Sequence, residues 1–129
     1  KQIEVAGRTC YKSEDKITPS SSVDFVKKMI NNGHTAMLEH GTVYLTVPRK
    51  SWDWDLWALV NNKYTEVRSV NNTSYITTNY RVLVENKWLS LLSYLSEPTP
   101  FFERRVTARF ICDRGVSHEL VRHKKLCVA

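Results

Sequence analysis

The chain has 129 residues, of which 42% are hydrophobic and 25% are charged. This length suits a single domain, and this balance is typical of a soluble globular protein, which excludes collagen, coiled coil and wholesale disorder. The formal net charge is +6. No apolar run reaches the length of about 18 residues that a membrane-spanning helix needs.

The first predicted helix begins at Pro19, directly after Thr18. Thr18 can accept hydrogen bonds from the amides of a first turn, and Pro19 loses nothing at the first helical position because it has no N–H to leave unpaired. Apolar residues then recur at helical spacing as far as Ile30. Gly33 tolerates the left-handed conformation that ends many helices, so the helix should stop before it.

Alternating residues follow in the next segment and predict a strand over residues 42–47. Val43, Leu45 and Val47 share one face of it, and Pro48 ends it. The aromatic stretch that follows, residues 49–62, is consistent with either a surface turn or a short helix.

A hairpin is favoured between residues 64–70 and 74–78, which resemble strands joined across Asn71 and Asn72. A second helix is predicted over about 80–95, where four apolar residues keep the i, i+3, i+4, i+7 spacing: Trp88, Leu91, Leu92 and Leu95.

A further strand is predicted over residues 104–111, which alternate again. Asp113 can then cap a third helix that runs to about residue 123. Because strands and helices mix without a regular βαβ order, the sequence favours an α+β fold with a mostly antiparallel sheet in one domain, 1–129.

Positive charge concentrates near the end of the chain. Residues 101–129 hold seven basic and three acidic residues, so they carry +4 of the net +6. This clustering suits an anionic ligand such as a nucleotide, or it forms a solvated basic face. The three cysteines, Cys10, Cys112 and Cys127, are scattered and odd in number, which indicates a reducing, cytoplasmic setting.

The segment G-H-T-A-M-L-E-H, residues 33–40, is the first candidate site. It lies between a helix end and a strand, where loops often carry function. His34 and Glu39 could position a cofactor or transfer a proton. Alternatively, His34 only completes the helix end and Glu39 is solvated.

The segment S-H-E-L-V-R-H-K, residues 117–124, is the second candidate site. On a helix, His118 lies one turn from Arg122, and Glu119 lies one turn from His123. A planar guanidinium on such a face suits a phosphate or a carbonyl-rich ring. A salt-bridged surface helix is the alternative.

The sequence does not favour a metal site or a glycine-rich phosphate-binding loop. His118, His123 and Cys127 approach zinc spacing together with Cys112, but no C-x2-C pair accompanies them and Arg122 and Lys124 would repel a cation. We therefore expect no metal. With four glycines in the chain, no Gly-rich phosphate cradle is present.

Three segments in this order resemble the flavin-dependent thymidylate synthase (ThyX) family. The first is A-G-R-T-C-Y at residues 6–11, with residues 13–19 after it. The second is residues 33–40, against the family pattern G-H-x-x-x-x-E-H. The third is residues 117–123, against the family pattern Q/E-L-x-R-H-R. The match spans residues 4–123, whereas residues 48–104 resemble a variable insertion.

This resemblance implies an α+β homotetramer with FAD sites shared between subunits. The implied reaction methylates dUMP to dTMP with methylenetetrahydrofolate, while NADPH reduces the flavin. Residues His34, Ala36 and Glu39 would border the flavin, and Arg122, His123 and Lys124 would face its ring and phosphates. The dUMP-binding residues would be Glu119, Leu120, Val121 and Arg122.

Two departures from the family pattern qualify this expectation. Lys124 stands where the family has Arg, and these two residues are not equivalent at a planar recognition site. The family's downstream Ser and Arg would fall beyond Ala129, so we expect a chain truncated within the signature, with weak or no turnover alone and its catalytic groups outside this sequence. Membrane and nucleic-acid partners are not expected.

Two alternatives to the enzyme hypothesis remain. The basic terminal region and the 14 aromatic residues, counted as four Trp, six Tyr and four Phe, could serve a non-catalytic nucleic-acid-binding module. The chain could also be a structural remnant that assembles without a ligand.

Overall fold

A computed structural model describes residues 1–122 of the chain. Within them lie helices and strands in the following order: α1 (Gln2–Cys10), α2 (Ser21–Asn31), β1 (Thr42–Pro48), α3 (Trp54–Val60), β2 (Glu66–Val70), β3 (Thr73–Asn79), α4 (Tyr80–Glu85) and α5 (Arg114–Val121). Short 3-10 turns connect several of them. The mixture of helices with an antiparallel sheet confirms the predicted α+β class.

The sheet has three antiparallel strands in the order β1-β3-β2, so β3 is central. Its register places Leu45 of β1 and Val67 of β2 opposite Ile76 of β3. Asn71 and Asn72 connect β2 to β3 with φ angles of 49° and 61°. Two consecutive left-handed residues form the turn whose twist matches a hairpin, so the favoured hairpin is confirmed.

One face of the sheet forms the main core. Val43, Leu45 and Val47 are buried along β1, as the alternation predicts. They pack with the following residues of other elements: Leu56, Leu59, Ile76, Val82, Leu83 and Leu91. This core includes β3 and α4, so residues 48–104 supply the centre of the sheet.

The stretch left open at residues 49–62 contains a helix, α3. The Asp53 carboxylate caps it by accepting the Leu56 amide at 2.9 Å. Leu56 and Leu59 face the core, while Trp54 and Trp57 stack on the exposed side with ring centroids 5.4 Å apart.

A second, smaller core joins α1, α2 and the 3-10 turn Thr35–His40. It contains Ile3, Phe25, Met29 and Leu38. Helix α2 confirms the predicted helix, although it begins at Ser21, two residues later than the proline suggested. It ends as expected, with Gly33 at φ +69°.

The prediction of one helix over residues 80–95 is wrong. Helix α4 ends at Glu85 because Lys87 adopts φ 62°, and the Trp88 amide donates to the Leu83 carbonyl at 2.8 Å. This bond closes a Schellman motif, which stops an α-helix. A 3-10 turn, Leu89–Tyr94, follows and buries Leu91 alone.

The predicted strand over residues 104–111 is also wrong. This segment belongs to neither sheet nor helix, and Val106 and Ile111 are 91% and 95% exposed. Alternation of apolar and polar residues defines which side chains share a face, but a strand also needs a second strand to pair with. No strand among residues 1–122 pairs with this segment.

The third predicted helix is present as α5. The Asp113 carboxylate accepts the Val116 amide at 2.9 Å, which confirms the predicted cap. The helix ends at Val121, slightly earlier than expected, and buries none of its residues. Across residues 1–122, no helix is both long and apolar enough to cross a bilayer.

Replacing Leu45 tests the main core. Leu45 is fully buried, whereas its bridge partner Leu95 is 60% exposed. We expect Leu45→Ala to lower the free energy of unfolding by about 3 kcal/mol, because it leaves a cavity in packed apolar surroundings. Leu95→Ala is the matched control and should cost less than about 1 kcal/mol in the same urea titration. Equal losses would contradict the assigned core.

Candidate functional site

The first two sequence motifs meet at His34. The His34 amide donates to the Met29 carbonyl at 2.9 Å, so His34 is fixed by the Schellman end of α2. Its Nδ1 lies 3.3 Å from the Tyr11 hydroxyl, which comes from the end of the A-G-R-T-C-Y segment. Tyr11 and His34, which belong to different motifs and lie 23 positions apart in the sequence, thus contribute to one exposed surface.

The Thr35–His40 turn has one buried anchor. Leu38 is fully buried between α1 and α2, while Ala36 is exposed on the same turn. The turn therefore presents His34 and Ala36 outward from a fixed base. This arrangement agrees with the alternative in which His34 completes the helix end, and it also leaves the imidazole accessible to a ligand.

Glu39 is not simply solvated, because Arg81 of α4 pairs with its carboxylate. The Nε atom of Arg81 also donates to Glu85 at 2.7 Å, and the Thr35 hydroxyl donates to the same Glu85 oxygen at 2.7 Å. Hydrogen bonds from Arg81 and Thr35 hold the pKa of Glu85 below its ordinary value. The hydrogen bonds that Arg81 donates to Glu85 and to Glu39 in turn raise the pKa of Arg81.

Arg8 in the first motif has a structural partner. Its Nε donates to the buried Glu4 carboxylate at 2.8 Å, and its guanidinium lies 5.1 Å from the Phe25 ring centroid. Burial favours the neutral form of Glu4, but the Ser21 and Arg8 side chains outweigh it and lower the pKa of Glu4. Arg8 therefore compensates a buried charge and is not available to a ligand.

The third motif forms the exposed helix α5. Glu119, Val121 and Arg122 are exposed and Leu120 is half-buried. Among residues 1–122, the hydrogen bonds of α5 stay within the helix and its cap. His118 accepts from Arg114 at 3.4 Å. His123 and Lys124, the other predicted flavin contacts, lie outside the described residues.

The described residues bring the first and second motifs together but do not connect α5 to His34 by a hydrogen bond or ion pair. The nearest connection is Arg109, whose guanidinium lies 3.5 Å from Glu14, just after the first motif. Both side chains are exposed, so this pair contributes little stability. It nevertheless ties the segment before α5 to the side of the molecule that bears Tyr11.

Neither of two clefts in the described chain is lined by His34, Ala36 or Glu39. A cleft of about 350 Å³ is lined by Tyr44 and Leu95, among others, and one of about 310 Å³ lies beside Val5 and Ile17. His34 and Ala36 are exposed, so a ligand at His34 would bind on the open surface of this chain.

A metal centre is not formed by residues 1–122, which contain no group of three or more His, Cys, Asp or Glu side chains able to hold an ion. Two members of the candidate zinc set, His123 and Cys127, lie outside these residues.

Comparison with protein-family models, curated proteins and solved structures finds no match to this chain.

Sequence reasoning missed Arg81 and Glu85. Their spacing of four residues signals a helical ion pair, but nothing in the sequence connects either residue to Glu39 or Thr35, which lie more than 40 positions away.

The half-buried His40 should make stability depend on pH. Burial lowers the pKa of His40 below 6.5, and the neighbouring Glu39 charge only partly opposes this. The unfolded chain then binds more protons than the folded one as the pH falls below 6.5, so acid destabilises the fold.

We therefore expect His40→Gln to reduce the loss of stability between about pH 7.5 and about pH 5.5, measured as the shift in urea midpoint. His118→Gln on the exposed helix α5 is the control and should leave that shift unchanged. An unchanged shift in His40→Gln would show that another group is responsible.

Proposed function

We propose that this chain is a member of the flavin-dependent thymidylate synthase family that binds FAD and dUMP, with weak or no turnover by itself. The reaction methylates dUMP to dTMP with methylenetetrahydrofolate, and NADPH reduces the flavin. The proposal is based on the three ordered motifs. Its main structural support is the Tyr11–His34 contact, because two distant segments of the pattern meet on one exposed surface.

The residues present suit an anionic flavin nucleotide. His34 and Ala36 are exposed, and Arg81 reduces the negative charge of Glu39 and Glu85, which would otherwise repel a phosphate more strongly. Arg122 is exposed on α5, and His123 and Lys124 follow it in sequence. When bound, the flavin supplies the hydride. The chain's own residues bind and orient it, and cationic side chains favour its anionic reduced form.

Shared sites in a homo-oligomer would complete this surface. Val106, Phe110 and Ile111 are strongly exposed before α5, and Val121 is exposed on it. Exposed apolar side chains such as these favour association. We propose that a second copy covers this region and closes the flavin site, as the family's tetrameric assembly implies.

Titration with FAD tests the proposed function. The 129-residue chain should quench flavin fluorescence on binding, and Arg122→Ala should weaken the affinity about tenfold, as expected for loss of one charge-assisted contact. Arg114→Ala removes the same charge from the same exposed helix and should weaken binding less than about twofold. Equal losses would indicate bulk charge rather than a defined site.

Light scattering with and without FAD extends this test. We expect the measured mass to be that of an oligomer and to increase as FAD binds. A chain that takes up no FAD contradicts the proposal. If such a chain binds single-stranded oligonucleotides at low salt, it is a nucleic-acid-binding module instead, because phosphate contacts are strongest under that condition.

A further inference from the structure

Arg81 lies outside every motif of the candidate site, within the segment 48–104 that resembles a variable insertion. It is nevertheless the residue that joins this segment to the site. Arg81 is the second residue of α4, and its guanidinium pairs with Glu39 of the Thr35–His40 turn. The pair joins residues 42 positions apart in the sequence.

The hydrogen bonds around Arg81 hold both ends of that turn. Arg81 contacts Glu39 near one end and Glu85 on its own helix, and Glu85 accepts the Thr35 hydroxyl at the other end. The Arg81 side chain is 34% exposed and that of Glu39 is 23% exposed, so water weakens this network less than it would a fully exposed one. A fork-shaped guanidinium can serve two carboxylates at fixed angles, which an ammonium cannot.

We propose that Arg81 is a positioning residue for the candidate flavin site. It fixes the turn that carries His34 and Ala36, and it reduces the negative charge that Glu39 and Glu85 together present to an anionic ligand. This role depends on the proposed function for its ligand, but the holding of the turn does not. The segment 48–104 thus supplies part of the site, although it carries none of the motifs.

Amide hydrogen exchange of the turn tests the positioning role without a ligand. In the full chain, Arg81→Met should speed exchange of the Leu38 and Gly41 amides about tenfold relative to the wild type, since local opening becomes easier. Arg49→Met removes the same charge from the same segment, where Arg49 lies over Trp52, and should leave these amides unchanged. Unchanged exchange in Arg81→Met would overturn the positioning role.

A double-mutant cycle with FAD tests the electrostatic role. Arg81→Met should weaken FAD binding about tenfold, and Glu39→Gln in the same background should recover part of that loss, because it removes one of the two carboxylate charges that Arg81 no longer compensates. Arg81→Lys keeps the charge but loses the fork, and should restore affinity only in part. No recovery by Glu39→Gln would overturn charge compensation.

The two measurements separate the two claims. If the wild-type chain takes up no FAD, the proposed function fails, and the exchange data alone decide whether Arg81 holds the turn. If FAD binds and Arg81→Met binds it as tightly as the wild type, the proposed function stands and the role of Arg81 fails. Thermal melting of each variant excludes global unfolding as the cause.

Discussion

Burial of Leu38 is the constraint on which the candidate site depends. Its side chain is fully enclosed between α1 and α2, and burial of one leucine contributes roughly 1.5–3 kcal/mol. With Leu38 in that position, the short 3-10 turn directs Ala36 outward and places Glu39 beside α4. The positions of the neighbouring residues therefore depend on this apolar contact as well as on their own polar contacts.

Local signals in the sequence predicted the elements that local chemistry controls. Asp113 caps α5, Gly33 ends α2, and Asn71 with Asn72 forms the hairpin turn, because each residue acts on amides or angles close to it. The failure at α4 has the same origin in reverse. Lys87 adopts a left-handed conformation, which its residue type does not predict. The helical spacing of apolar residues continues beyond Glu85, where α4 ends.

Contacts between distant segments could not be predicted in this way. Arg81 and Glu39 are both ordinary surface types, and only the packing of α4 against the Thr35–His40 turn makes them partners. Residues 104–111 show the opposite case. Their alternation is the pattern of a strand, but strand formation depends on backbone partners that the pattern does not contain, and residues 1–122 do not provide them.

The position of β3 links these observations to the site. It is the central strand, its last residue Asn79 caps α4 by accepting the Val82 amide at 3.0 Å, and the Tyr80 amide donates to the Gly41 carbonyl at 2.8 Å. The end of β3 thus sets where α4 begins, and that start places Arg81 within reach of Glu39. A segment that resembles an insertion by sequence is, in the fold, the support of the turn that the motifs define. A substitution in β3 that displaces α4 should therefore also displace Arg81 and the turn next to His34, although within residues 1–122 β3 makes no hydrogen bond to His34.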